Sequence, residues 1–389
     1  MKSQQPVVAA YRPRLLYIDN LRWTMIILVI SMHAADTYSP LGNWYYVDRK
    51  PLSSAALLTF AAWQTYLQSF FMGLLFFIAG YFVPGSLDRK GAAKFVRDRA
   101  YRLGLPVLFY MFVLGPITEY YCAHSWNSTA PTSFTHEWIK HIRNGQFLQE
   151  NGPLWFCLAL LIFSLGYVVW RTLHPEGGGP KGMSQPPSAG GLAGFALAMA
   201  AFTFAVRLVF PSGTSFLNMH LGDFPQYILL FGAATLAARG GWVGKLSFSS
   251  GVRWMLVVLP IGFASWLAIL RWGGALAGNG EAYSGGRHWQ AASMNLWESF
   301  TCVALCHGLL VIFREAINAQ GRLARFLSAN AFSVYVFHPP FVIMGTRMLR
   351  GFVWPPLLKF AALTVLGAVA SFAMSAAVFR RIPLLRAIL

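Results

Sequence analysis

Tyr17-Ile-Asp-Asn-Leu-Arg22-Trp-Thr-Met-Ile-Ile-Leu-Val-Ile-Ser-Met-His33-Ala-Ala-Asp36 holds an uninterrupted apolar stretch with ionisable groups at both ends. Between Arg22 and His33 only Thr24 and Ser31 are polar, so the segment predicts a helix whose solvent is hydrocarbon. Eleven residues of α-helix turn through about 1100°, three turns plus about 20°, so Arg22 and His33 share a face about 16 Å apart. Arg22 is expected at a membrane rim and His33 deep. An ionisable side chain inside a bilayer costs roughly 2.5 to 3.5 kcal/mol on insertion scales, so it normally faces protein or a water-filled cavity and serves a function.

The rest of the chain repeats the apolar theme. Of 389 residues, 56% are hydrophobic, 16% aromatic and only 11% charged, well under the roughly 25% charged of soluble domains. A bilayer core about 30 Å thick asks for about 20 apolar residues per helix. Ten such runs are expected, at 21–38, 54–84, 104–121, 153–173, 190–210, 225–238, 251–272, 293–313, 329–349 and 355–379. The run at 225–238 is short. The fold class is therefore all-α, a polytopic transmembrane bundle, taken as a single domain over residues 1–389.

The net charge of +18 raises nucleic acid as a partner, but the basic residues cluster at alternate helix ends and form no basic domain. One side takes Lys2, Arg12, Arg14, Arg22, the loop from Arg89 to Arg102, Arg171, Lys181, Arg239, Lys245, Arg253, Arg314, Arg322, Arg325 and the tail Arg380, Arg381 and Arg386. By the positive-inside rule both termini are expected in the cytoplasm, the partner is the lipid bilayer, and nucleic acid is excluded. The first 17 residues are mixed and polar, without a small-residue cleavage site, so the first helix is expected to stay as an anchor. Residues 174–191, rich in Gly, Pro and Ser, read as a flexible cytoplasmic linker. Cys302 and Cys306 stand at i,i+4 with only His307 beside them, while Cys122 and Cys157 lie in or near apolar runs. All four are expected to pack, and no metal is expected.

Two outer loops carry polar and aromatic residues. Ala123 to Gly152 holds His124, Trp126, His136, Glu137, Trp138, His141 and Glu150, and is placed to cover a substrate site. Gly273 to Ala292 holds Tyr283, Arg287, His288 and Trp289, a set that fits either sugar contact or an interfacial belt.

Asp36 lies one turn beyond His33, where its carboxylate would fix the imidazole tautomer and support the imidazolium; a solvated place at the outer surface fits it equally. Asp19 stands in the same relation to Arg22. Arg99 and Arg102, at i,i+3 in Lys94-Phe-Val-Arg97-Asp-Arg99-Ala-Tyr-Arg102, would present two guanidinium groups on one side of a helix entrance. Such pairs suit phosphate, although retention of charge on the cytoplasmic side would also explain them. A deep histidine facing an arginine cluster across half a membrane is a layout able to take an acyl thioester from inside and deliver it to a hydroxyl elsewhere.

On these residues the chain resembles the acyltransferase-3 family of membrane O-acyltransferases. The resemblance rests on Arg22 and His33 with ten residues between them, on Arg99 and Arg102, and on Phe76-Phe-Ile-Ala-Gly80-Tyr81. Gly152-Pro-Leu-Trp155-Phe156 and Ser333-Val-Tyr335-Val-Phe-His338 add to it. Ala79 departs from the serine often found before that glycine. The glucan-modifying branch, which includes a succinyl transferase for periplasmic glucans, is similar in general layout. The resemblance implies an acyl-CoA co-substrate held by Arg22, Arg99 and Arg102, with no bound cofactor. It implies His33 as general base or acyl relay, supported by Asp36. A glycan or lipid-linked hydroxyl acceptor is implied too, with Asn151, Trp155, Tyr335 and His338 as acceptor or oxyanion contacts, in a bacterial inner membrane. The alternative is a proton-coupled permease in which His33 and Asp36 relay protons and the arginines only orient the chain.

Overall fold

The computed structural model describes residues 14–42, 44–48, 50–123, 133–174 and 184–386. His124 and Trp126 of the outer loop, the basic residues Lys2, Arg12 and Lys181, and residues 175–183 of the linker lie outside the described residues.

The chain is a helical bundle. Eight helices among the described residues are long and apolar enough to cross a membrane. In chain order they are α2 (Ser54–Lys90), α3 (Ala92–Tyr121), α5 (Gly152–Leu173), α6 (Ala189–Arg207), α8 (Phe248–Trp272), α9 (Trp289–Ala316), α10 (Arg322–Arg350) and α11, whose apolar span is Pro356–Arg381. Two further helices sit where apolar runs were expected. α1 (Leu16–Tyr38) is 23 residues long but carries too many polar groups to count as apolar throughout, and α7 (Phe224–Gly240) is 17 residues long. A short helix, α4 (Phe134–Arg143), lies in the loop before α5, and a two-stranded hairpin, β1 (Ser215–Phe216) with β2 (Met219–His220), follows α6. Residues Ala189–Gly191, at the end of the Gly- and Pro-rich stretch, already belong to α6, because the Ser188 side chain accepts from the Gly191 amide and caps the helix.

Packing explains why α1 tolerates its polarity. It lies against α2, α9, α10 and α11, so its ionisable face meets protein instead of lipid. At its start, buried Asn20 donates to the carbonyls of Ile317 and Ala319 at 2.7 and 3.0 Å, tying α1 to the turn between α9 and α10. α2 runs along α7, and their contact is close enough that a Cβ at Gly80 would stand 2.9 Å from the Phe231 carbonyl oxygen. A small residue at such a crossing lets two backbones approach. α8 lies at the periphery and leaves Leu256, Val257, Ile261 and Phe263 exposed. Apolar side chains in that position on a bundle of this kind face lipid tails, and the protein is an integral membrane protein.

α3 is irregular. Pro106 and Pro116 remove backbone donors, and three wide π turns follow one another at Ala100–Gly104, Tyr110–Leu114 and Thr118–Ala123. The first begins directly after Arg99 and contains Arg102. The ideal i,i+3 geometry expected for those two arginines therefore does not apply there.

Candidate active site

A cavity of about 850 Å³ opens at the end of the bundle where α1 stops and α2 begins. His33 and Asp36 line it. The His33 Nδ1 atom stands 3.4 Å from Asp36 Oδ2, a long contact that orients the ring without gripping it. Asp36 is itself fixed: Gln64 Nε2 on α2 donates to Asp36 Oδ1 at 2.8 Å, and the Ser39 hydroxyl donates to Gln64 Oε1 at 2.6 Å. Gly42 presses on the same carboxylate, since a Cβ there would fall 2.0 Å from Asp36 Oδ1. With Asp36 accepting, Nδ1 carries the imidazole proton, and Nε2 engages no partner among the described residues. Asp36 is thus buried in a hydrogen-bonded chain, and of its two expected places the solvated one does not apply.

The His33 ring is covered on one face and flanked at its edge. The Trp44 indole, from the loop between α1 and α2, stacks on it with centroids 3.7 Å apart, and the His338 ring of α10 lies nearly parallel at 5.3 Å. Trp44 lines the cavity. Its loop is secured by Asp48, whose carboxylate meets buried Lys359 of α11 at 3.0 Å, and by Tyr45, whose hydroxyl lies 3.1 Å from that of Tyr110 on α3. His338 Nδ1 stands 2.9 Å from the Tyr335 carbonyl oxygen, which can only accept, so the proton sits on Nδ1; Nε2 is buried with no partner among the described residues.

The remaining motif residues divide. Trp155 and Tyr335 line the cavity, but the Tyr335 hydroxyl donates to the Pro153 carbonyl. Asn151 does not line it. Its amide donates to the Leu217 carbonyl at 2.8 Å, while Asn218 donates to Asn151 Oδ1 at 3.1 Å and to the Gly152 carbonyl at 2.8 Å. Both polar ends of Asn151 therefore hold the β1–β2 turn, where Leu217 and Asn218 adopt positive φ of 51° and 58°. Two such residues in succession form the tight hairpin turn that suits strand twist.

The arginines gather at the opposite end of α1. Arg22 is half-exposed, meets Asp19 at 3.2 Å and lies over the Phe82 ring at 4.9 Å. Arg99 lies over Phe95 at 5.1 Å, and the charges of Arg102 and Arg22 both act on it. A cation-rich end and a histidine-bearing cavity thus lie at opposite ends of one helix. The model of the acyltransferase-3 family, described as an acyltransferase domain, matches residues 15–376. The chain belongs to the acyltransferase-3 family. No curated protein and no solved structure matches it.

As an acyltransferase it carries residues at its cavity that no short motif announced. Arg207, at the end of α6, is buried and bonds Asp223 Oδ1 at 2.7 Å, Glu298 Oε2 at 2.8 Å and Asn295 Oδ1 at 2.5 Å. Its sequence signal is a lone charged residue within the apolar run at 190–210. Of the loop between α3 and α5, Glu150 lines the cavity and stands 2.9 Å from His141 Nδ1. Burial, with the neighbouring charge of Glu119 added, pushes the Glu150 carboxyl up to about 8. His136 is exposed, and Trp138 donates to the Phe112 carbonyl at 2.9 Å. From the loop before α9, Tyr283 lines the cavity while Arg287, His288 and Trp289 are exposed.

Proposed function

We propose that this acyltransferase moves an acyl group of the acetyl or succinyl type from cytosolic acyl-CoA to a hydroxyl of a glycan or other extracytoplasmic acceptor. The observation that supports the reading is that His33 and Asp36 line a cavity at one end of α1 while Arg22, Arg99 and Arg102 gather at the other. In this reading α1 and α7 complete ten crossings, both termini lie in the cytoplasm, and the membrane is a bacterial inner membrane. The guanidinium groups take the phosphates of CoA. The acceptor stands in the cavity, and a glycan there agrees with the layout shared with the glucan-modifying members.

His33 Nε2 removes the proton of the acceptor hydroxyl as its oxygen bonds the thioester carbonyl carbon. The tetrahedral oxyanion then collapses, the C–S bond breaks, and the imidazolium returns its proton to the leaving thiolate. General-base assistance of this kind contributes about 10² to 10⁴ in rate. A covalent acyl-imidazole relay would use the same nitrogen. Of the oxyanion donors suggested by the motifs, Trp155 fits best, because its indole N–H has no partner among the described residues and the ring lines the cavity. Tyr335 and Asn151 already donate to backbone carbonyls, and His338 packs beside the His33 ring.

The test is transfer or hydrolysis of labelled acetyl-CoA and succinyl-CoA by purified protein, comparing wild type with His33→Ala and Arg99→Ala. Loss of label release in His33→Ala with CoA binding retained, and weakened CoA binding in Arg99→Ala, is the expected result. Folded wild-type protein that neither binds CoA nor turns it over would overturn the proposal.

A further inference from the structure

The charge on the cavity lining is lopsided. Arg207 is the one cation that is charged at every working pH among the described lining residues, and each of its nitrogens is already bonded. Nε donates to the Gly222 carbonyl at 3.2 Å, Nη1 to Asn295 and Glu298, and Nη2 to Asp223. Four of its five N–H donors are thus engaged, and a bound anion would find only one left, on Nη2.

The carboxylates are less fully engaged. Asp223 uses one oxygen on Arg207, and the other receives Gln68 Nε2 at a long 3.4 Å. Glu298 uses Oε2 on Arg207, and its second oxygen bonds no described residue. Asp36, which lies beside His33, adds a third carboxylate to the cavity lining, so three acids besides Glu150 share it with one guanidinium. The other titratable groups lining the cavity are His33, His220, Glu150 and the phenols of Tyr45, Tyr227, Tyr283 and Tyr335. None of them adds a permanent cation. Hydroxyl groups suit such a lining, since a carboxylate oxygen is a strong acceptor for O–H donors, and the half-buried Trp155 ring adds an aromatic surface to the same cavity.

We propose that Asp223 and Glu298, held in place by Arg207, form the acceptor subsite, which takes an uncharged or amino-bearing sugar ring and rejects one carrying a carboxylate. The inference rests on the acyl-transfer reading for its meaning, but binding of the sugar can be measured without any acyl donor. Methyl glucoside, methyl glucosaminide and methyl glucuronide would be titrated into the full chain in a detergent without a sugar headgroup, following tryptophan fluorescence and binding heat. The expected result is that the glucoside and glucosaminide bind at least about fivefold more tightly than the glucuronide, as one uncompensated charge in a partly dry site requires. Glu298→Gln and Asp223→Asn, which keep an oxygen for Arg207, should each narrow that gap; melting temperature and gel filtration would confirm that they fold.

A gap below fivefold, no binding of any of the three sugars, or a gap unchanged in both folded variants would overturn the subsite. CoA binding and thioester turnover report separately on the acyl-transfer reading, so a sugar-binding failure with intact CoA turnover sinks only the subsite. Sugar binding as expected with no CoA binding sinks only the acyl-transfer reading.

Discussion

Asp36→Asn reverses the hydrogen-bond logic of the candidate base while barely changing its shape. Gln64 Nε2 donates to Asp36 Oδ1 at 2.8 Å and is held in that orientation by Ser39. An asparagine would therefore turn its oxygen toward Gln64 and its amide N–H₂ toward His33 Nδ1. Two donors would then face each other across the 3.4 Å gap. His33 relieves this by moving its proton to Nε2, the nitrogen that must be bare to accept the acceptor's proton. The same exchange in a tightly bonded catalytic triad costs about 10⁴ in kcat. The longer contact here places the expected loss at about 10² to 10³, or roughly 2.7 to 4.1 kcal/mol of barrier. Steady-state transfer from acetyl-CoA should show this in kcat with the KM for acetyl-CoA nearly unchanged. Adding Gln64→Glu should recover part of the loss, because the new carboxylate accepts from the asparagine N–H₂ and turns its oxygen back to His33. Retention of kcat within about threefold in Asp36→Asn, with folding intact, would refute the tautomer argument.

Three further outcomes follow from the packing. Lys359→Met leaves the Asp48 carboxylate buried without its 3.0 Å partner and should cost roughly 3 to 5 kcal/mol in a chemical or thermal melt, with Asp48→Asn restoring part of it. Gly152→Ala should destabilise by about 2 to 4 kcal/mol, because the site has φ +51° and a Cβ would lie 2.4 Å from the Tyr110 ring; a melting temperature equal to wild type would contradict this. Glu150 binds its proton more tightly folded, at about 8, than unfolded, at about 4.5. Its contribution to stability is therefore present below about pH 4.5 and declines as pH rises through about 8. Melting temperature should fall over that window, and Glu150→Gln should flatten the slope.

Much of the candidate site was legible because it is local. Arg22, His33 and Asp36 stand on one helix, where periodicity alone puts the first two on one face, and an ionisable residue in hydrocarbon announces itself by its cost. Trp44 was not legible, since a loop residue has no period and reaches His33 only through anchors at Asp48–Lys359 and Tyr45–Tyr110. The acidic partners of Arg207 lie 16 and 91 residues away, so no local pattern links the three. Asn151 shows the converse. An amide beside a helix start suggests an oxyanion donor, yet the hairpin at Leu217 and Asn218 occupies both of its ends.

By itself the sequence determined the solvent, the helical class, the axis from Arg22 to His33 and the family, because apolar run length and charge placement along one helix need no distant contact. The tertiary structure decided which polar groups of that axis meet water. It buried Asp36 between Gln64 and His33, laid Trp44 over the imidazole, and brought Arg207, Asp223 and Glu298 from three separate segments onto one cavity wall. Those placements depend on how helices far apart in sequence pack, and short-range patterning carries no term for that.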